Sequence, residues 1–313
     1  MGYFDLQVNG YGGVDFNQDN LTAEQLHAAC EKLAADGVAG ILATIITERL
    51  EKMLLRLRNL TSLRAVDPLA AKMIVGFHIE GPFLNPEPGF RGAHPADAIQ
   101  PATEDAAQRL LEAGSGLVRL VTLAPEQDPG SRVIRLLTNG GVIVAAGHCN
   151  SSLEQLRAAI DAGASMFTHL GNGCPAQLPR HDNIIQRALS LHEQLWLCFI
   201  ADGVHVPFPA LGNYLRAASL NRVIVVTDAI APAGLGPGRY ALGRWTLQIG
   251  PDMVARSPDG SHLVGAAITM RQSEENLQNN LGLSADQCRR LLVENPQRAV
   301  PATHPIKPMT KGY

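Results

Sequence analysis

Three side chains stand where packing alone gives no reason for them. Glu80 closes the hydrophobic run Gly-Phe-His-Ile-Glu, and a carboxylate there needs a cation or hydrogen-bond donors. His148, in Ala-Ala-Gly-His-Cys-Asn, and His169, in Phe-Thr-His-Leu-Gly-Asn, close later runs of the same kind. One carboxylate and two imidazoles, with a fourth position left for water, make a hydrolytic metal site of the zinc type. Taken singly, each can be a hydrogen-bonded residue at a barrel rim, and for a lone histidine that reading is favoured. Three at the ends of neighbouring strands favour a metal. Asp228, in Val-Val-Thr-Asp-Ala, could take a proton from an activated water and return it to a leaving group, or could be a helix N-cap or a structural partner of His205.

These residues need elements that bring them together. Eight short apolar runs read as strands: Tyr3–Asn9, Gly40–Thr47, Met73–Glu80, Val118–Ala124, Val142–His148, Met166–Leu170, Trp196–Ala201 and Val223–Asp228. Between them lie segments of helical period such as Thr22–Asp36, Glu48–Ala65, Thr103–Ala113, Ser152–Ala162 and Phe208–Ser219. That alternation predicts parallel strands joined by helices. Continuous runs such as Val-Ile-Val-Val at 223–226 suit strands covered on both faces. Eight such units predict an α/β fold of the (β/α)8 barrel type, and no GxGxxG follows the first strand to support an open, doubly wound sheet. In such a barrel the C-terminal strand ends converge, gathering Gln7, Asn9, Glu80, His148, His169, Asn172, Asp202, His205 and Asp228. The barrel is expected to occupy residues 1–300, with a hairpin inserted near 240–258 and an irregular tail over 301–313.

The 313 residues, 46% hydrophobic and 18% charged, can fill a large core. Net charge is −3, with no block of like charge, so neither nucleic acid nor a membrane is an expected partner. The longest apolar runs fall short of the roughly 20 residues of a membrane helix. The start, Met-Gly-Tyr-Phe-Asp, has no basic segment followed by an apolar one, so a cytoplasmic location is expected. Five widely spaced cysteines read as reduced thiols.

The motifs resemble the N-acetylglucosamine-6-phosphate deacetylase family of the amidohydrolase superfamily. The matching stretches are DLQVNGYGGVDFN (5–17), HIEGPFLN (78–85), RGAH (91–94), TLAPE (122–126), GHCN (147–150), THLxN (168–172), ADGVH (201–205), VTDAIAPAG (226–234) and GAAITM (265–270). They span nearly the whole chain in family order. The resemblance implies that Glu80, His148 and His169 hold one divalent metal, zinc first, with iron, manganese or cobalt also suited to the ligand set. It implies that Asp228 is the catalytic acid/base and His94 the group contacting the amide carbonyl. Gln7 and Asn9 stand where other amidohydrolases carry the His-x-His of a second metal, and amides bind cations weakly, so a single metal is expected. His205 matches a sugar-binding histidine, and Asn172 with the backbone N–H of Gly173 matches groups holding a phosphate. Arg180 matches a phosphate-binding arginine supplied across a homodimer; by itself it reads as a solvated loop charge.

Two departures stand out. The loop after His169 reads GNGCPAQLPRHDN, where the family usually has Asn-Ala-Met-x-Pro and Arg-Glu-Pro-Gly. The family's small accessory β-sandwich, built from segments flanking the barrel, is not expected here. The expected function is removal of the N-acetyl group from N-acetylglucosamine 6-phosphate. The alternatives are a deacylase of another N-acylated sugar or amino acid, and a catalytically silent sugar-phosphate binding protein.

Overall fold

The computed structural model describes residues 2–301. Eight parallel strands pair in chain order: β1 (Tyr3–Val8), β2 (Val38–Ile46), β3 (Ile74–Glu80), β4 (Val118–Leu123), β5 (Ile143–Ala146), β6 (Met166–Phe167), β7 (Trp196–Ile200) and β8 (Val223–Val226). Each is followed by helical segments, among them Ala23–Ala35, Leu50–Val66, Glu104–Ala113, Leu153–Asp161 and Phe208–Ala218. Thr22, Ser152, Thr269 and Ser284 cap their helices, each exchanging hydrogen bonds with a glutamine three residues on. No helix among the described residues is long and apolar enough to cross a membrane.

The period of two sorts each strand into an inner and an outer row. Phe4, Leu6, Leu42, Leu120, Ala145, Met166, Cys198, Ile200, Ile224 and Val226 meet inside the barrel. Ile41, Ala43, Ile45, Phe77, Ile79, Val121 and Leu123 point outward and bury against Leu26, Leu33, Met53, Leu57 and Leu60 of the helices. Both faces are therefore covered, which is why these strands read as unbroken apolar runs.

The seam between β8 and β1 carries no ladder; side chains close it. Asp5 Oδ1 accepts from the backbone N–H groups of Gln7 and Thr227, each at 3.2 Å, and Asp5 Oδ2 accepts from Thr227 Oγ1 at 2.5 Å. Beyond them Asn9 N donates to Ala229 O at 2.7 Å. Asp5 is buried, and burial outweighs its donors, pushing its carboxyl up to about 7.

Three expectations are corrected. The run Val142–His148 contributes a strand only over Ile143–Ala146, and Met166–Leu170 only over Met166–Phe167, because His148 and His169 turn left-handed (φ 49° and 28°) and leave the ladder. The hairpin is shorter than 240–258: β9 (Gly238–Leu242) pairs antiparallel with β10 (Trp245–Ile249), and the following residues form turns. The sequence-expected tail, apart from its first residue, lies outside the described residues.

Candidate active site

The inner rows of β3 and β8 continue into chemistry. On β8 the inward positions Ile224 and Val226 are followed two residues later by Asp228, and on β3 His78 is followed by Glu80. Below these carboxylates lies a polar belt: His78 Nε2 is 2.8 Å from Thr122 Oγ1, which is 2.6 Å from Thr168 Oγ1. Burial keeps His78 neutral, lowering its pKa to about 4.

Glu80, His148 and His169 converge. Glu80 Oε1 lies 3.0 Å from His169 Nε2 and 3.3 Å from His148 Nε2, and the two Nε2 atoms are 3.1 Å apart. Bond lengths near 2.0–2.1 Å in a tetrahedral zinc site put neighbouring donor atoms roughly 3.3 Å apart. His148 Nδ1 donates to Phe90 O at 2.9 Å, which leaves the Nε2 lone pair facing His169 and Glu80. Buried Nδ1 of His169 and Oδ1 of Asn9 take no hydrogen-bond partner. Two imidazole nitrogens and a carboxylate oxygen at these spacings fit one divalent cation. Burial alone would raise the Glu80 carboxyl, but the two histidines hold it well below its ordinary value.

Asp228 sits beside this cluster, with Oδ1 accepting from Gln7 Nε2 at 3.0 Å and Asn9 Nδ2 at 2.7 Å. Gln7 Nε2 also donates to Glu80 Oε1 at 3.1 Å, so the amide bridges the two carboxylates. Burial first, then the nearby Glu80 charge, pushes Asp228 up to about 6. It begins no helix, and His205 pairs instead with Asp202, Nδ1 to Oδ2 at 2.6 Å. His94 packs edge-on against His148, ring centres 4.5 Å apart, and its Nε2 lies 3.9 Å from Glu80 Oε2. Burial and the neighbouring imidazoles lower its pKa to about 3, leaving a neutral ring able to donate one hydrogen bond.

His148, His169 and Asp228 (φ 53°) all occupy left-handed backbone that costs non-glycine residues on the order of 1–3 kcal/mol each. Their surroundings hold them there. Asn85 N donates to His148 O at 3.0 Å, and Glu126 accepts from Asn85 Nδ2 (2.9 Å), Asn150 N (2.6 Å) and Ser151 Oγ. Two left-handed glycines flank the His148 ring: a Cβ on Gly92 would lie 3.0 Å from Cε1, and one on Gly173 would lie 2.9 Å from Nδ1.

A cavity of about 700 Å³ opens above the cluster. Asn9, Glu80, His94, His148, His169, Asn172, Gly173, His205 and Asp228 line it. Gln7 is buried beneath and bonds the carboxylates rather than lining the cavity, and Arg180 is exposed on the 171–183 loop outside the cavity of its own chain. Sequence reasoning passed over Glu126 and Trp245. Glu126 lies in the matched TLAPE stretch, and a tryptophan on a polar hairpin was signal enough for Trp245.

No protein-family profile matches the chain. The chain is 33% identical over 258 residues to the N-acetylglucosamine-6-phosphate deacetylase of Bos taurus, and 34% identical over 292 residues to an N-acetylgalactosamine-6-phosphate deacetylase of a Shewanella species. The alignments cover 79% and 90% of this chain and 61% and 70% of those proteins. A mutant N-acetylglucosamine-6-phosphate deacetylase of Mycobacterium smegmatis, solved in complex with N-acetylglucosamine 6-phosphate, superposes with a TM-score of 0.86 at 31% identity. That match covers 96% of this chain and 77% of the other. This chain belongs to the N-acetylglucosamine-6-phosphate deacetylase family. Within the family, relatives named for the gluco and the galacto sugar both match at similar identity.

Proposed function

We propose that the protein hydrolyses the acetamido group of an N-acetylhexosamine 6-phosphate, N-acetylglucosamine 6-phosphate first, to the free amine and acetate. The observation that carries this is the placement of Asp228, held by two amide donors beside the Glu80–His148–His169 cluster at the floor of an open cavity. A divalent cation, zinc first, held by Glu80 Oε1, His148 Nε2 and His169 Nε2 would polarise the amide carbonyl and acidify water. Asp228 takes the proton from the attacking water through the carboxylate oxygen that Gln7 and Asn9 leave free. His94 donates to the carbonyl oxygen as it gains charge, and a neutral imidazole suits that task. When the C–N bond breaks, Asp228 gives its proton to the departing amine, so one water is consumed and acetate leaves. Gln7 bridges Glu80 and Asp228 in the place of a second metal's ligand, which supports a single cation.

His205, Asn172 and Gly173 also line the cavity and would hold the rest of the substrate. Arg180, exposed on the same side, would reach a 6-phosphate in the neighbouring subunit of a homodimer. The test is acetate release from N-acetylglucosamine and N-acetylgalactosamine, each with and without the 6-phosphate. Preference for a phosphorylated sugar by tenfold or more is expected. Equal turnover with and without phosphate would move the reading to other N-acylated sugars, and no turnover with metal bound would leave a silent binding protein.

A further inference from the structure

Two stretches of the cavity lining differ in chemistry. One is the 171–176 segment, contributing backbone, Gly173 and the small side chains of Asn172 and Cys174. The other is the turn of the β9–β10 hairpin, Leu242 to Trp245, with Ser261–Leu263 behind it. Along the hairpin Leu242, Leu247 and Ile249 bury into a small apolar cluster with Ile230 and Val264, and Ile46, Ala93 and Trp245 pack against it. Trp245 lines the same cavity as His94, Glu80 and Asp228. His262 meets it edge-on, ring centres 6.1 Å apart at 68°.

The indole is held in place. Gly243 N donates to Asp15 Oδ2 at 2.5 Å, and Arg244 pairs with both Glu48 oxygens and, at 3.1 Å, with Asp97. The turn is thereby tied to the segments after β1, β2 and β3, and the ring beside it is preorganised. Trp245 is only half-buried, and its N–H finds no acceptor among the described residues. A half-exposed indole lining the cavity presents a flat apolar face together with one N–H donor. A pyranose ring presents C–H bonds on its faces and oxygens on its rim, which matches a flat apolar surface with one donor at its edge.

We propose that Trp245 packs against the ring of the bound hexosamine and donates to one of its oxygens, making the hairpin turn a determinant of sugar specificity. This rests on the deacetylase reading above. Trp245 touches the part of the substrate that does not react, so it contributes to binding in the ground and transition states alike. Replacing it therefore raises KM and leaves kcat nearly unchanged.

The chain has two tryptophans, and the other, Trp196, starts β7 at the opposite end of the barrel, between the guanidinium groups of Arg222 and Arg298. In a Trp196→Phe variant the tryptophan emission reports Trp245 alone. Titrating that protein, carrying also Asp228→Asn to prevent turnover, with N-acetylglucosamine 6-phosphate and N-acetylgalactosamine 6-phosphate is expected to change the emission saturably for the sugar the parent enzyme turns over. Trp245→Leu should raise KM for that sugar roughly 2- to 10-fold with kcat within about twofold, and Trp245→Phe should recover most of the loss. Unchanged emission at ligand concentrations that saturate by calorimetry, or a fall in kcat at constant KM, overturns the proposal while the parent's turnover leaves the deacetylase reading standing. A parent that releases acetate from neither sugar phosphate removes both.

Discussion

Asp5→Asn is expected to change how stability depends on pH. The Asp5 carboxyl rises from 3.8 to about 7 in the folded chain, because burial outweighs the hydrogen bonds from Gln7 and Thr227. The folded state therefore binds the proton more tightly than the unfolded chain, and stability falls as pH rises from about 4 to about 7, then levels off. Between pH 5 and pH 8 roughly two decades of proton activity act on this difference, at about 1.4 kcal/mol each, for a loss of about 2–3 kcal/mol. Asparagine keeps an Oδ1 to accept from the two backbone N–H groups, and the Thr227 hydroxyl can turn to accept from Nδ2. The asparagine chain does not titrate there. Other groups contribute to the pH dependence of parent and variant alike, so the measured quantity is the gap between variant and parent in urea unfolding at each pH. That gap should move about 2–3 kcal/mol in the variant's favour from pH 5 to pH 8. A gap constant to within about 0.5 kcal/mol would show that Asp5 ionises normally and that the seam does not depend on a proton.

Asp228→Asn should abolish acetate release while metal content and thermal unfolding stay near those of the parent, since the amide keeps the shape and cannot take a proton; a rate within about tenfold of the parent would mean that Asp228 is structural. Protein prepared without chelator should carry about one divalent metal per chain by elemental analysis, and Glu80→Gln should lose most of it; two tightly bound metals, or none after growth with added metal, would refute the ligand assignment. Arg180→Ala should lower kcat/KM roughly 10- to 150-fold on the phosphorylated sugar and leave the unphosphorylated one nearly unaffected. Equal losses on both would point to folding damage.

The barrel was legible because each strand is covered on two sides. Val-Ile-Val-Val at 223–226 and the apolar run through Ile41, Leu42, Ala43 and Ile45 leave no solvent face to interrupt the pattern. Strand ends at the site were not legible, since nothing in Gly-His-Cys-Asn or Thr-His-Leu announces that the histidine backbone turns left-handed and leaves the ladder. The helix Arg132–Asn139 was not among the segments named from the sequence, although Val133, Ile134 and Leu137 give it a buried face. Glu80, His148 and His169 were found by their types and strand-end positions, and the structure brings them together. The role of Gln7 needed coordinates: a glutamine in a strand does not reveal that it bridges two carboxylates.

Gly173, packed against the His148 ring, divides the 171–183 loop into a fixed part and a free part. At Gly173 any side chain would strike the imidazole, and at Gly92 the clearance is barely wider. From Ala176 to Asp182, excepting Leu178, the residues are exposed. Sequence drift, or a designed library, can therefore rewrite that stretch without disturbing the reaction centre. A lineage could in this way exchange the sugars it accepts while its hydrolytic chemistry stays constant.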